Sequence, residues 1–472
     1  MSDTQEIMLV DAEQQQAGES QDLKNYVASV DAPIALKYIA AGRIAQSVVS
    51  VLVREISEQR LSNVFDICAV GNYLVEEECG KIFKNVEEKG VANPTCVDVN
   101  NCIWGYSPVE RENAYVLTNG DIAKISLGVH IDGYSSLVTH TLVVLPTVPV
   151  LEQTAPTTGV VADVVCATHL ATEAVVTLLG TTLQHAGTPS GFFGARKVNG
   201  LRIKEVVENV AKAFKVKILP GSQVRRIKRF LVGQDTVHEV DVKGYAWGAL
   251  SIEEATDDPE EGDLKKLIDS EAAPELGEAW VVDLAMCSFS GLQADLNPRN
   301  EFQVSRRTIK PHRALKPTIF TRDYSKSLSM KLKSARGVLT EIDNRKSVFP
   351  FHLSALETEG APLGVAALVK MGILSPATVF TVQGAPGTPV SSRTRTTVLL
   401  APSVKYGGEL VRLSGGEIAP SWVHSEYEIT DAEILELLDE KRAGVRVRNI
   451  GAVELEVPAL EGEEEDAAME IE

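Results

Sequence analysis

Between Asn100 and Thr141 the chain reads NNCIWGYSPVERENAYVLTNGDIAKISLGVHIDGYSSLVTHT, and this stretch limits the fold more than any other. Ile122, Lys124, Ser126 and Gly128 alternate with Ala123, Ile125, Leu127 and Val129, which is the period of a strand. Asp132-Gly133 then supplies the positive φ that a tight type I′ turn demands, and a second strand follows from Tyr134. The spacing predicts two antiparallel strands meeting at this turn.

The size of the chain sets how much can be built around that hairpin. Its 472 residues, 44% hydrophobic and 24% charged, suffice for one large domain or two of ordinary size. No run of 18 apolar residues occurs, and the start MSDTQEIMLV has no basic region before an apolar core. Neither a membrane span nor a secretory signal is expected, which points to an intracellular protein. Cys68, Cys79, Cys96, Cys102, Cys166 and Cys287 form no CxxC pair and lie in apolar surroundings, as reduced core thiols do.

Taken in order, residues 1–32 are acidic and Gln-rich, with seven carboxylates against Lys24, and are expected to be a disordered tail. Ile34, Tyr38, Ile44, Val48, Leu52 and Ile56 then recur at helical spacing, and a second helix is expected with Ser62 as its N-cap. Leu142 to Leu151 is an apolar, β-rich run, and helices are predicted over Asp163 to Leu183 and Leu201 to Phe214. Residues 253–278 carry eleven carboxylates and read as a solvated acidic insertion, and residues 454–472 carry nine and no base, a second disordered tail.

The net charge of -19 argues against a general nucleic-acid binder, but two segments run the other way. Arg196 to Arg229 holds eleven Lys or Arg against Glu205 and Glu208, and ends in Arg225, Arg226, Lys228 and Arg229. Arg306 to Lys346 holds twelve against three carboxylates, among them Arg306, Arg307, Lys310, Arg313, Lys331 and Lys333. Its first part reads as an extended loop and Ser327 to Ile342 as a helix. Basic runs of this density in an acidic chain read as a phosphate-facing, RNA-binding surface. The alternative is a positive patch that balances the chain's own acidic insertion.

The Asn-Asn-Cys and Leu-Gly-Val-His-Ile-Asp-Gly motifs resemble the metal-binding hairpin of the methionine aminopeptidase, or pita-bread, family. The likeness extends over roughly residues 33 to 450 and is greatest to the non-peptidase branch. It implies an α/β (α+β) fold, a single domain over 33–453 with a curved antiparallel sheet backed by helices. Active members place one metal-binding Asp six residues before the turn Asp and another eleven residues after the first; those positions are Ser126 and Leu137 here. The glutamate positions of two later strands hold Asp283 and Arg395, a metal-binding histidine falls at Val224 or Arg225, and the catalytic histidine position is Gly105. Divalent ions at such sites want anionic oxygens in fixed geometry, so the resemblance implies a pseudoenzyme with no metal, no cofactor and no catalytic residue.

Other chemistry finds no footing. The eight histidines have no G-x-S-x-G elbow near them, and Gly384 to Pro389 lacks the Lys-Ser/Thr of a phosphate loop. Within the branch the acidic tails and heavy ligand loss are most similar to the fungal export factors of the pre-ribosomal large subunit. That resemblance implies a shuttle between nucleus and cytoplasm that docks near the nascent-chain exit. Its implied partners are ribosomal RNA, exit-tunnel proteins, Phe-Gly nucleoporins and a small biogenesis protein, and no membrane. The emptied pocket, expected to be lined by small or apolar groups, is the expected seat of a Phe-Gly segment. Alternatives are a proliferation-associated translation regulator on mature ribosomes and an active metallo-aminopeptidase.

Overall fold

The structure is a computed structural model. It describes residues 32–146, 156–183, 198–231, 242–248, 268–288, 296–297, 300–304, 308–312, 314–326, 330–383, 389–401, 409–416, 418 and 423–458. Residues 1–31 of the amino-terminal tail, residues 459–472 of the carboxy-terminal one and the first part of the acidic insertion lie outside these residues.

Two helices, α1 (Ala32–Ser57) and α2 (Val64–Lys81), precede β1 (Lys89–Val99) and the short β2 (Cys102–Trp104). The hairpin follows as β3 (Ile122–Ile131) and β4 (Tyr134–Val143). Next come α3 (Val160–Thr181), α4 (Gly200–Ala213), β5 (Val216–Ile218), β6 (Gln223–Ile227), β7 (Val242–Ala246), β8 (Ile268–Asp269) and β9 (Ala279–Ser288). A stretch of short elements contains β10 (Leu296–Asn297), β11 (Asn300–Val304), β12 (Ile309–Pro311), β13 (Ile319–Arg322), α5 (Lys333–Arg345), β14 (Phe351–His352), α6 (Ala361–Lys370), β15 (Leu374–Pro376) and β16 (Phe380–Val382). The chain closes with β17 (Ser391–Ala401), β18 (Glu409–Ser414), α7 (Ala432–Leu437), α8 (Glu440–Ala443) and β19 (Val447–Asn449).

The hairpin sets the centre of a thirteen-stranded sheet in the order β1-β3-β4-β17-β9-β5-β11-β10, with β6 also on β9 and β18 also on β17. Asp132 and Gly133 take φ of 54° and 79°, as the turn requires, and β3 pairs with β4 without a break from Ile122↔Val143 to Ile131↔Tyr134. The central pairs are antiparallel; β5 with β11, β7 with β8 and β18 with β19 are parallel edge pairs.

One face of the sheet is apolar and carries the helices. Ala123, Ile125, Leu127 and Val129 pack with α1 and α2 residues such as Val48, Leu52 and Ile67. Val282, Leu284, Val398 and Leu400 pack against Val164, Val175 and Leu178 of α3 and Val207 and Val210 of α4. By length and composition α1 and α3 would suffice to cross a bilayer, yet both are mostly buried against the sheet and serve as core. The opposite face bears Lys124, Ser126 and their neighbours and is also covered, so every residue of β3 is buried.

Several sequence expectations shift. The N-cap of α2 is Asn63, whose side chain accepts from Phe65 N at 2.9 Å; Ser62 instead gives its carbonyl to Leu117 N. The helix expected from Ser327 begins at Lys333, and 327–329 lie outside the described residues. The chain from β13 to β15 builds a separate small core, with Phe320, Val338, Ile342, Phe351, Val365 and Leu368 around a sheet of order β14-β13-β15. Sequence periodicity marks its helix α5 but not the core as a unit, because its strands are short and interrupted.

Candidate functional site

Directly opposed residues of adjacent strands share a face, so the register itself assembles the site. Cys96, Ser126, Thr139, Arg395, Asp283 and Gln223 stand in one row across β1, β3, β4, β17, β9 and β6. Three of the five ligand positions that the resemblance implies, Ser126, Arg395 and Asp283, thus fall in one row. Leu137 is one step along, opposite Gly128, and is buried. Gly105 follows β2 with φ 91°, beside Trp104.

The row does not present donors for a cation. Ser126 Oγ and Thr139 Oγ1 hydrogen-bond to each other at 2.9 Å. Asp283 is held by Arg393, whose Nε and Nη2 donate to its two oxygens at 2.7 Å each, in a bidentate pair that is almost fully buried. Trp104 lies over the Arg393 guanidinium at 4.6 Å. Arg395 is 5% exposed, and its Nη2 donates to the carbonyls of Leu127 and Val138 at 3.3 Å each. Among the described residues no three His, Cys, Asp or Glu side chains come together in a metal-binding group.

A second row adds Asp98, Lys124 and Thr141. Lys124 Nζ donates to Asn100 O at 2.7 Å and to Ser391 O and Oγ at 3.2 Å, and burial pulls it down to about 8. Burial raises the Asp98 carboxyl, which accepts from Tyr106 N at 2.9 Å and Cys102 Sγ at 3.4 Å. Burial, then the charge of Arg393, takes Arg395 down to about 10. Burial opposes the charge on Arg393 as well, but Asp283 more than offsets it and its pKa is raised.

Among the described residues these groups do not form a nucleophile with an oriented base. Burial pushes the Cys68, Cys79 and Cys287 thiols up to about 12. His130, stacked on Phe349 at 4.0 Å, falls to about 4 through burial and is neutral. His352 Nδ1 meets Ser354 Oγ at 2.7 Å, but its Nε2 faces the backbone carbonyl of Ser107 rather than a carboxylate.

The expected pocket lining is therefore corrected: the floor is polar and charged, occupied by Arg393, Arg395 and Lys124 rather than by small or apolar groups. Sequence reading missed Arg393, Lys124 and Asp98. One signal was there to be read, because two arginines two residues apart in a buried strand must share a face, and that face holds Asp283.

The first basic cluster is also corrected. β6 lies inside the sheet between β7 and β9; Arg225 is buried there and Arg226 pairs with Glu278 at 3.1 Å. Lys228 is half-buried and Arg229 exposed, the latter pairing with Asp132 and donating from Nε to its carbonyl at 2.9 Å. In the second cluster Lys310, Lys331 and Lys333 are exposed, while Arg306, Arg307 and Arg313 lie outside the described residues.

No family model matches the chain. It is 33% identical over 408 residues to the "Probable metalloprotease arx1" of Schizosaccharomyces pombe, across 83% of this chain and 89% of that protein. The chain belongs to the Arx1 family. The "Proliferation-associated protein A" of Dictyostelium discoideum is 28% identical over 405 residues, across 85% of this chain and 87% of that one. A solved "thermophilic Arx1" superposes with a TM-score of 0.65 at 23% identity, over 86% of this chain and 97% of the other, so the fold is that of Arx1, a pita-bread sheet backed by helices.

Proposed function

We propose that this Arx1-family chain is a peptidase-like protein without peptidase activity that acts in ribosome biogenesis. It binds the precursor of the large ribosomal subunit near the nascent-chain exit and assists its nuclear export. The observation that carries the loss of activity is the Arg393–Asp283 pair. The one carboxylate left at a ligand position commits both oxygens to a guanidinium, and a serine, a leucine and a second arginine stand at the others. Such a donor set does not fit two divalent cations. The relatives' name of probable metalloprotease thus describes a chemistry that these side chains do not support.

On this reading the partners are pre-ribosomal RNA and exit-tunnel proteins, met through exposed bases such as Lys310, Lys331 and Lys333. Phe-Gly nucleoporins and a small biogenesis protein complete the set, and the protein shuttles between nucleus and cytoplasm. Two experiments test it. Metal analysis of the purified protein with a Met-Ala peptide assay should give neither a stoichiometric metal pair nor turnover; two ions per chain with cleavage refute the inactive reading. Affinity purification from cell extract with RNA sequencing should recover precursor ribosomal RNA. Recovery of mature ribosomal RNA alone favours a translation regulator, the reading that the likeness to a proliferation-associated protein keeps open.

A further inference from the structure

We infer that the floor of the sheet binds a small monovalent anion, a carboxylate or a halide, held between the Nε edge of Arg395 and the Ser126–Thr139 hydroxyl pair.

The first observation is the state of Arg395 itself. It is 5% exposed, its Nη2 makes two long hydrogen bonds to carbonyls, and its Nε has no hydrogen-bond partner among the described residues. No carboxylate lies within ion-pair distance of it there. Asp283, directly opposite on β9, is committed through both oxygens to Arg393. A buried guanidinium that shares its nearest carboxylate with a second arginine and keeps a spare donor is destabilising, and an anion that accepts from that donor relieves it.

The second observation is independent. Thr139 stands opposite Arg395 in the row and Ser126 opposite Thr139 on the next strand, and their hydroxyls share a single hydrogen bond of 2.9 Å. Two hydroxyls have two protons, one of which is used between them, so one O–H remains to donate beside the guanidinium. Arginine and hydroxyl together offer the convergent donors that a carboxylate accepts.

Charge selects the class of ligand. The buried ionisable groups of the two rows are Asp98 and Asp283 against Lys124, Arg393 and Arg395, an excess of one positive charge. A singly charged anion balances that excess. A divalent phosphate or sulfate overshoots it, and a cation or an α-amine adds to it.

The test uses the full-length chain. Thermal unfolding is followed against sodium formate and, at equal ionic strength, sodium gluconate, whose anion is too bulky for such a site. Formate should raise Tm saturably by several degrees, with gluconate nearly flat, a smaller formate response in Ser126→Ala and none in Arg395→Gln. A parent protein that responds equally to both salts, or an Arg395→Gln protein with the full formate response, overturns the proposal. Crystals of the parent grown with bromide as the sole small anion give a second readout that needs no variant. An anomalous peak in contact with Arg395 supports the site, and its absence there refutes it.

Discussion

Arg393 and Asp283 meet through two hydrogen bonds of 2.7 Å in the interior of the sheet, from positions offset by two residues across β17 and β9. Two long charged side chains thereby settle each other in a place where either alone is costly.

Removing one partner should therefore hurt more than removing both. Arg393→Met leaves Asp283 buried without its partner and should cost about 3–5 kcal/mol, whereas Arg393→Met with Asp283→Leu should lie near the parent or above it. Chemical denaturation of the parent, both single variants and the double variant closes the cycle. A double variant as unstable as Arg393→Met would mean that the pair also holds its surroundings in place.

His130 gives a pH dependence of known sign. Its folded pKa is depressed from 6.5 to about 4, so between those values the unfolded chain takes up a proton that the folded chain refuses. Stability should fall as pH drops from 6.5 toward 4, by about 3 kcal/mol in all for this residue. In urea titrations over that range, His130→Leu should flatten the slope by roughly that amount while keeping the packing against Phe349.

Gly128 is held small by the residue across from it. A Cβ there would stand 2.4 Å from Leu137 Cδ2 and 3.0 Å from Asn93 Cβ. Gly128→Ala should cost about 1–3 kcal/mol, as overpacking does, and a second change, Leu137→Val, should recover part of it. Thermal unfolding of the three proteins shows whether the loss is steric.

Exposed and buried bases should behave differently in RNA binding. Reversing Lys310, Lys331 and Lys333 to glutamate should weaken binding to ribosomal RNA and lower the log-log salt slope by roughly 0.7 to 0.9 for each phosphate no longer neutralised. Arg226→Glu should instead lose stability by breaking its pair with Glu278, with the salt slope unchanged. Filter binding from low to moderate salt separates the two outcomes.

What the sequence made legible follows from which signals are local. The hairpin was readable because Asp132-Gly133 and the period of two sit in one unbroken stretch, and the ligand positions were readable because they are counted from that turn. Arg225 and Arg226 misled for a physical reason. Charge density counts residues along the chain, whereas burial depends on what covers the face of the folded sheet, and there Arg225 is buried and Arg226 is paired with Glu278. The Arg393–Asp283 pair depends on a register between strands 110 residues apart, and only the alternation of Arg393 and Arg395 hinted at it. The small core around Val338 and Leu368 depends on packing that no single element advertises.

That small core is joined to the main body at its ends and also between them. Its entry strand pairs with its exit strand, Phe320↔Pro376, Thr321↔Ser375 and Arg322↔Leu374, so the chain leaves the main body and returns to it at adjacent points. One residue between those points does not belong to the cassette's own core: Phe349 is buried, stacks on His130 at 4.0 Å and packs with Leu137 and Leu399 of the main sheet. The part around Val338 and Leu368 packs on itself, whereas the segment at Phe349 rivets the cassette to the hairpin, so a change there is felt at β3.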